Sequence, residues 1–168
     1  MRQVVKIDNG MINFECWADS CKHCCCGVFE GVTKRISSVD GRPFDEIVLT
    51  EEDYNNLYVC GRSDLIGEGY SPQMRKKYYR LNLNEDGSCK ALEDGKCSIY
   101  AHRPTLCRAY PFYFDMFAGL CAINCEGFSD DRLVPLESCA PSFEAARKMY
   151  VFWTDFYRDM GEDPSPTE

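Results

Sequence analysis

The spacing of apolar positions changes several times along this chain, and each change marks an element. The clearest stretch is near the C-terminal end. There Ala146, Met149, Tyr150, Trp153, Phe156, Tyr157 and Met160 recur at three- and four-residue steps, with Arg147, Lys148, Asp155 and Arg158 mostly on the other side. That period predicts an amphipathic helix laid over a core, with Ser142 placed to cap its start and Gly161 to end it. Core packing explains the aromatic stripe better than a cofactor stripe does. A second, shorter helix opens at Thr50: Thr50 followed by Asp53 resembles a capping box, Glu51 and Glu52 fall in the positive first turn, and Gly61 closes it. A third helix candidate spans Gly31 to Ser38.

Strand signals fill most of the rest. An extended segment leads the chain, and Pro43 to Leu49 (PFDEIVL) reads as a strand. Glycine and proline punctuate Gly61 to Pro72, which reads as loop. Tyr78 to Leu83 alternates in the manner of a strand, and turns at Asn84–Gly87 and Glu93–Gly95 divide it from returns at Ser88–Leu92 and Lys96–Tyr100. This meander would hold Cys89 and Cys97 close together. Phe112–Phe117 and Leu120–Ile123 flank Ala118-Gly119 as a further hairpin. The expected class is therefore α+β: a small, irregular, metal-stabilised domain with short antiparallel hairpins and a C-terminal amphipathic helix. Residues 1–160 are expected to form one domain, followed by a frayed polar tail at 161–168.

Composition changes the picture in one respect above all. A hydrophobic fraction of 45% is ample for a core, yet 12 of the 168 residues are cysteine. Either a disulfide framework or thiolate metal ligation accounts for that number. The first 14 residues, MRQVVKIDNGMINF, carry no apolar leader core and no small-residue cleavage site. The chain is expected to stay in the cytoplasm, where reduced cysteines bind metal or do redox chemistry. Cys24, Cys25 and Cys26 are consecutive, which disfavours a disulfide framework further. A net charge of −8 argues against a general nucleic-acid face. No run of about 18 apolar residues predicts a membrane span. Expected partners are a protein substrate or a redox partner, with no nucleic acid and no membrane.

The thiols fall into three groups. The first, Cys16-x4-Cys21-x2-Cys24-Cys25-Cys26, packs five sulfurs into eleven residues. A Cys-x2-Cys turn aims two thiolates at one ion, and five exceed the four positions of a tetrahedral site. They feed two sites or a multinuclear cluster, or leave one thiol spare. The second runs through Gly87-Ser88-Cys89, Gly95-Lys96-Cys97-Ser98-Ile99-Tyr100 and Arg103-Pro104-x2-Cys107-Arg108-x-Tyr110-Pro111-Phe112. The third is Cys121-x3-Cys125 and Cys139. For Cys121 and Cys125, ligation stands slightly ahead of a buried core thiol. For Cys139 the two readings balance, and ligation there would tie the last helix to the metal core. Cys60, alone after the short helix, reads as a core cysteine. His23 and His102 read as surface residues or as groups outside the ligand shell, because thiols are abundant. Arg103 and Arg108 flank Cys107, where they would bond to cluster sulfurs and offset thiolate charge. The competing reading is an ordinary ion pair.

The first two groups together resemble the zinc- or iron-chelating domain family known by its CxxCxxCC signature, which includes flagellin lysine methylases. The likeness covers Phe14 to Phe112. This chain departs from the signature in its Cys16-x4-Cys21 spacing, as the methylase-like branch does, and either Cys24-Cys25 or Cys25-Cys26 is the family pair. The resemblance implies metal chelation by Cys16, Cys21, Cys24, Cys25, Cys26, Cys89, Cys97 and Cys107, with an iron–sulfur cluster (4Fe–4S) expected and zinc as the alternative, and Cys121 and Cys125 join the expected ligands on their own spacing. Three functions follow as expectations: an iron–sulfur protein with a redox or protein- or small-molecule-modifying role, a structural zinc module that binds a partner, and a lysine N-methylase-like enzyme. The last rests on likeness alone, because no glycine-rich motif for a methyl donor is present.

Overall fold

The computed structural model describes residues 2–3, 5–17, 46–85, 88–123 and 125–158. The expected helix at 31–38, the start of the strand at 43–45, Cys21, Cys24, Cys25, Cys26, His23 and the tail at 161–168 lie outside them. The class is α+β, as the spacing predicts. Two apolar cores organise it. One gathers Ile12, Phe14, Ala109, Phe112, Ala122, Cys139, Ala145, Ala146 and Met149. The other gathers Leu49, Leu57, Leu65, Leu81, Cys89, Ala91 and Ile99.

The second core is built around helix α1, Glu51–Val59. The expected capping box is present. Thr50 Oγ1 accepts from the Asp53 N–H at 3.1 Å, and Asp53 Oδ2 accepts from the Thr50 N–H at 3.1 Å. Gly61 follows the helix at φ +76°, a conformation that favours glycine. Strand β4 (Val48–Leu49), β5 (Ile66–Ser71) and β6 (Lys76–Leu81) form an antiparallel sheet in the order β4-β6-β5. The expectation of a loop over Gly61–Pro72 is therefore corrected. A short 3-10 turn at Ser63–Leu65 leads into a six-residue strand. Gly67 and Gly69 serve cross-strand packing, not turning: a Cβ at 67 would collide with the Asn82 side chain and one at 69 with the Tyr78 ring. Hairpin β7–β8 (Leu92–Glu93, Lys96–Cys97) turns through Asp94 and Gly95, both at positive φ. It lies where the sequence places it, and Cys89 and Cys97 pack into the same core.

The first core rests on hairpins. A turn at Asn9 (φ 48°) and Gly10 (φ 74°) joins β2 (Ile7–Asp8) to β3 (Met11–Ile12). β9 (Phe112–Asp115) and β10 (Gly119–Ile123) form the expected second hairpin, and β1 (Arg2–Gln3) adds to β10. β11 (Val134–Pro135) pairs with β3. A 3-10 turn, Leu136–Cys139, then runs straight into α3, Ala140–Arg158. The helix thus begins upstream of the expected Ser142 cap. Pro141 is tolerated there because a first-turn N–H has no helical partner. Ala145, Ala146 and Met149 are the buried positions of the helix. Farther along, the Phe156 ring meets Tyr78 edge-on at 6.2 Å, and Lys76 Nζ donates to the Phe156 carbonyl at 3.3 Å, so α3 reaches the sheet of the other core.

A second connection between the cores is more consequential. Asp53, 2% exposed, accepts with Oδ1 from both the N–H and the hydroxyl of Thr105, each at 2.9 Å. Thr105 opens helix α2, Thr105–Ala109. One carboxylate therefore caps two helices, its own and another 52 residues on. α2 in turn packs against α3. Asp53→Ala should destabilise the protein by about 2–4 kcal/mol, the sum of two caps, whereas Thr50→Ala, which removes one, should cost about 1 kcal/mol. Urea unfolding of the two variants measures this. Equal losses would show that the Thr105 connection contributes nothing.

Candidate metal centre

A backbone seam positions the first thiol. Phe14 bridges Phe128, the Glu15 N–H donates to the Gly127 carbonyl at 3.0 Å, and the Ser129 N–H donates to the Asn13 carbonyl at 3.1 Å. The two chains approach so closely at Gly127 that a Cβ there would strike the Glu15 carbonyl oxygen and the Phe14 ring. Phe14, Phe112 and Phe128 wedge the seam with ring centroids 4.8–5.9 Å apart. Cys16, exposed, leaves the seam just beyond this point. Cys125 starts the turn that returns to it, with the Phe128 N–H bonded to the Cys125 carbonyl at 3.2 Å, and packs against the first core.

Cys139 approaches the same seam from the 3-10 turn ahead of α3. It is 4% exposed, and its Sγ donates weakly to the Phe14 carbonyl at 3.9 Å and lies 3.8 Å from the Ser138 hydroxyl. Burial pushes the Cys139 thiol up from its ordinary pKa, Ser138 pulls it part of the way back, and charge on Cys16 pushes it further up. Cys16 and Cys139 are both free thiols. Among the described residues, no group of three or more Cys, His, Asp or Glu side chains is gathered tightly enough to hold a metal.

The remaining described thiols are distributed elsewhere. Cys60, which the sequence leaves alone, packs with Cys89 and Cys97 in the second core, and its Sγ donates to the Leu57 carbonyl at 3.3 Å. Cys107 is half-buried on α2, between Leu106, which packs against the first core, and the Arg108 side. Cys121 is half-buried on β10, opposite Tyr113. Strand alternation turns Leu120 and Ala122 toward the first core and Cys121 to the other face. Cys125 packs on the core side, so the two thiols of Cys121-x3-Cys125 are presented differently. Cys21, Cys24, Cys25 and Cys26 of the first thiol group lie outside the described residues.

Arg103 and Arg108 have oxygen and ring partners. Arg103 Nε donates to the Tyr100 carbonyl at 3.1 Å and its guanidinium lies 3.7 Å from the Tyr100 ring centre. Arg108 Nη2 donates to Thr105 Oγ1 at 3.0 Å and lies 3.9 Å from Asp53 Oδ1. Asp53 and Gly127 are the residues that sequence reasoning missed as organisers of the site. The only local signal for Gly127 is a glycine two residues after a cysteine.

A sulfur-rich donor set on hairpin ends and short helices defines a protein that suits soft and borderline cations such as zinc and iron. By donor type the described thiols fit that use, and among the described residues they are spread over both cores. Comparison with protein families agrees: the model of the CxxCxxCC family, described as a putative zinc- or iron-chelating domain, matches residues 15–126. The chain belongs to this family. No curated protein and no solved structure matches it.

Gly127→Ala should force the seam apart and carry Cys16 away from Cys125 and Cys139. The expected loss is about 1–3 kcal/mol from overpacking against backbone, with a fall in metal bound per chain. Thermal unfolding and elemental analysis check this, and wild-type values for both would show that the seam tolerates the added methyl group.

Proposed function

We propose that this chain is an iron–sulfur protein, holding a 4Fe–4S cluster through thiolates and serving a redox or protein- or small-molecule-modifying role in the reducing cytoplasm. The observation that carries the reading is the family match over residues 15–126, with Cys125 and Cys139 on one core and Cys16 leaving the backbone seam that borders it. The cysteine content and the choice of iron or zinc in the family description support it. Such a cluster supplies one-electron transfer or a Lewis-acidic iron when bound. The chain's own residues present thiolates, exclude water along the Phe14–Phe112–Phe128 wedge, and place the Arg108 cation on the thiol-bearing helix α2. The proposed partner is a protein substrate or an electron-transfer protein.

Zinc in a structural role is the second reading. What favours it is the burial of Cys89 and Cys139 within packed cores, where a closed four-thiolate site supports folding without offering an open position.

Metal content decides between them. Protein purified without oxygen, from cells supplied with iron, should be brown, with broad visible absorbance and iron and sulfide in comparable amounts. Colourless protein with stoichiometric zinc and no iron would sink the iron–sulfur reading and leave the zinc one. Under either metal, Cys107→Ser should lose most of the bound metal, because a hydroxyl binds these cations poorly. Arg108→Ala should keep it, since its described bonds are to Thr105 and Asp53. Arg108→Ala protein stripped of metal would make that guanidinium part of the binding site itself.

A further inference from the structure

The sheet of the second core is open along part of one edge. β4 pairs with β6 through Val48 opposite Arg80 and Leu49 opposite Tyr79, and the Leu81 N–H donates to the Ile47 carbonyl at 2.9 Å. Ladder bonds on this edge of β6 therefore fall on alternate residues, Leu81, Tyr79 and then Lys77. At Thr50 the chain leaves the sheet and opens α1, so among the described residues no strand lies opposite Lys77 on that side. At this open edge Lys77 lines a cleft of about 380 Å³. Tyr54 on α1, Tyr78 and Tyr79 on β6, and Phe152 and Phe156 on α3 wall it. The rings brace one another: Tyr54 lies 4.4 Å from Tyr79, and Phe156 meets Tyr78 at 6.2 Å. Glu51 lines the cleft and makes no ion pair among the described residues. The other charges nearby are engaged, Lys77 with Glu68 at 3.4 Å and Glu52 with Lys148 at 3.2 Å.

We propose that this cleft is the docking site for an extended basic segment of a partner protein, which lays its main chain beside Lys77 and an arginine side chain against the rings. A strand edge with free ladder groups accepts an added extended segment, and flanking pockets then select its side chains. Aromatic faces attract a cation, and the unpaired Glu51 carboxylate at the rim complements its charge. The chain makes such contacts within itself. The Arg103 guanidinium lies 3.7 Å from the Tyr100 ring centre, and Lys76 Nζ lies 5.7 Å from that of Phe156. Arginine suits the cleft better than lysine because its planar, weakly hydrated head stacks on rings and gives up water more readily. A net charge of −8 draws a basic partner from a distance. It also disfavours a second copy of this chain as the occupant, since pairing edge to edge about Lys77 would set like charges side by side. No cysteine lines the cleft, so the docking site stands whichever metal the thiols hold, and metal content tests the iron–sulfur reading separately.

The test titrates the full chain, with its own metal bound, with a flexible glycine–serine peptide that carries one central arginine. Parallel titrations use the same peptide with lysine or citrulline in that place. Carbon-13 labels in the phenylalanine and tyrosine rings report by nuclear magnetic resonance where each peptide binds. The arginine peptide should shift the Tyr54, Tyr79 and Phe156 resonances saturably. Citrulline keeps the shape and loses the charge, and its peptide should bind about fivefold more weakly. Glu51→Gln, with native circular dichroism, should weaken the arginine peptide about threefold. Shifts confined to rings outside the cleft would overturn the site. So would the absence of saturable shifts at about 10 mM peptide, which reaches past millimolar affinity. Equal affinity for the citrulline peptide, or wild-type affinity in Glu51→Gln, would overturn the cationic ligand. Equal affinity for the lysine peptide would overturn the preference for a guanidinium.

Discussion

A carboxylate sealed from water is costly unless donors surround it, and Asp53 is surrounded. Thr50 and Thr105 each offer it a backbone N–H or a hydroxyl, and Arg108 stands close enough to lend its charge. The arrangement does more than satisfy one acid. It closes the N-termini of α1 and α2 at once, so the two helices are set relative to each other before any metal is considered. α2 carries Cys107 and packs on α3, and α1 belongs to the core that contains Cys60, Cys89 and Cys97. Asp53 therefore joins the helix that carries Cys107 to the core that holds Cys60, Cys89 and Cys97. Removing it leaves the buried N–H and hydroxyl of Thr105 without their acceptor.

Around that latch, the thiols sort by environment. Cys97 is carried on the tight β7–β8 hairpin, Cys89 lies at the bridge to Leu83, and both lean into an aliphatic core. Cys16 is exposed at the end of a seam, and Cys139 is buried against it. Thiolate metal sites need donors that are deprotonated and held at fixed angles. The Phe14–Phe128 seam and the 3-10 turn before α3 fix the backbone at Cys16 and Cys139 through ordinary hydrogen bonds. A bound cation would meet the first requirement by replacing the proton as the counter-charge.

Local patterns in the sequence were legible wherever one stretch of chain decides its own shape. The capping box at Thr50 and Asp53, the hairpin about Ala118-Gly119, the turn at Asp94-Gly95 and the amphipathic C-terminal helix all follow from neighbouring residues. The Asn9-Gly10 hairpin carried an equally strong signal that the reading of an undivided extended segment passed over. Gly67 and Gly69 misled because glycine marks both turns and places where a neighbour needs room, and only the paired strand with Tyr78 and Asn82 shows which. Ser142 misled because the preceding 3-10 turn already delivers the chain in helical form. Of the site, the family resemblance was legible from spacing. The reach of Asp53 to Thr105 and the approach of Cys139 to the Phe14 carbonyl were not, since both join residues remote in sequence.

The frame also bears on how much the metal has to do. In a small zinc finger the donors are brought together only by the ion, and binding is folding. Here β3, β11 and the Gly127 seam fix the backbone that leads to Cys16 and to Cys139 through hydrogen bonds that owe nothing to a metal. Backbone already ordered in this way adds little to the entropy cost of any later binding step. The same reasoning divides the molecule. The aliphatic core of Leu49, Leu57, Leu65 and Leu81 is closed by α1 and its sheet, whereas the start of α3 is followed by only three fully covered positions, Ala145, Ala146 and Met149. Phe143, Phe152 and Trp153 pack beside those three, so α3 is seated on the first core by apolar contacts of its own.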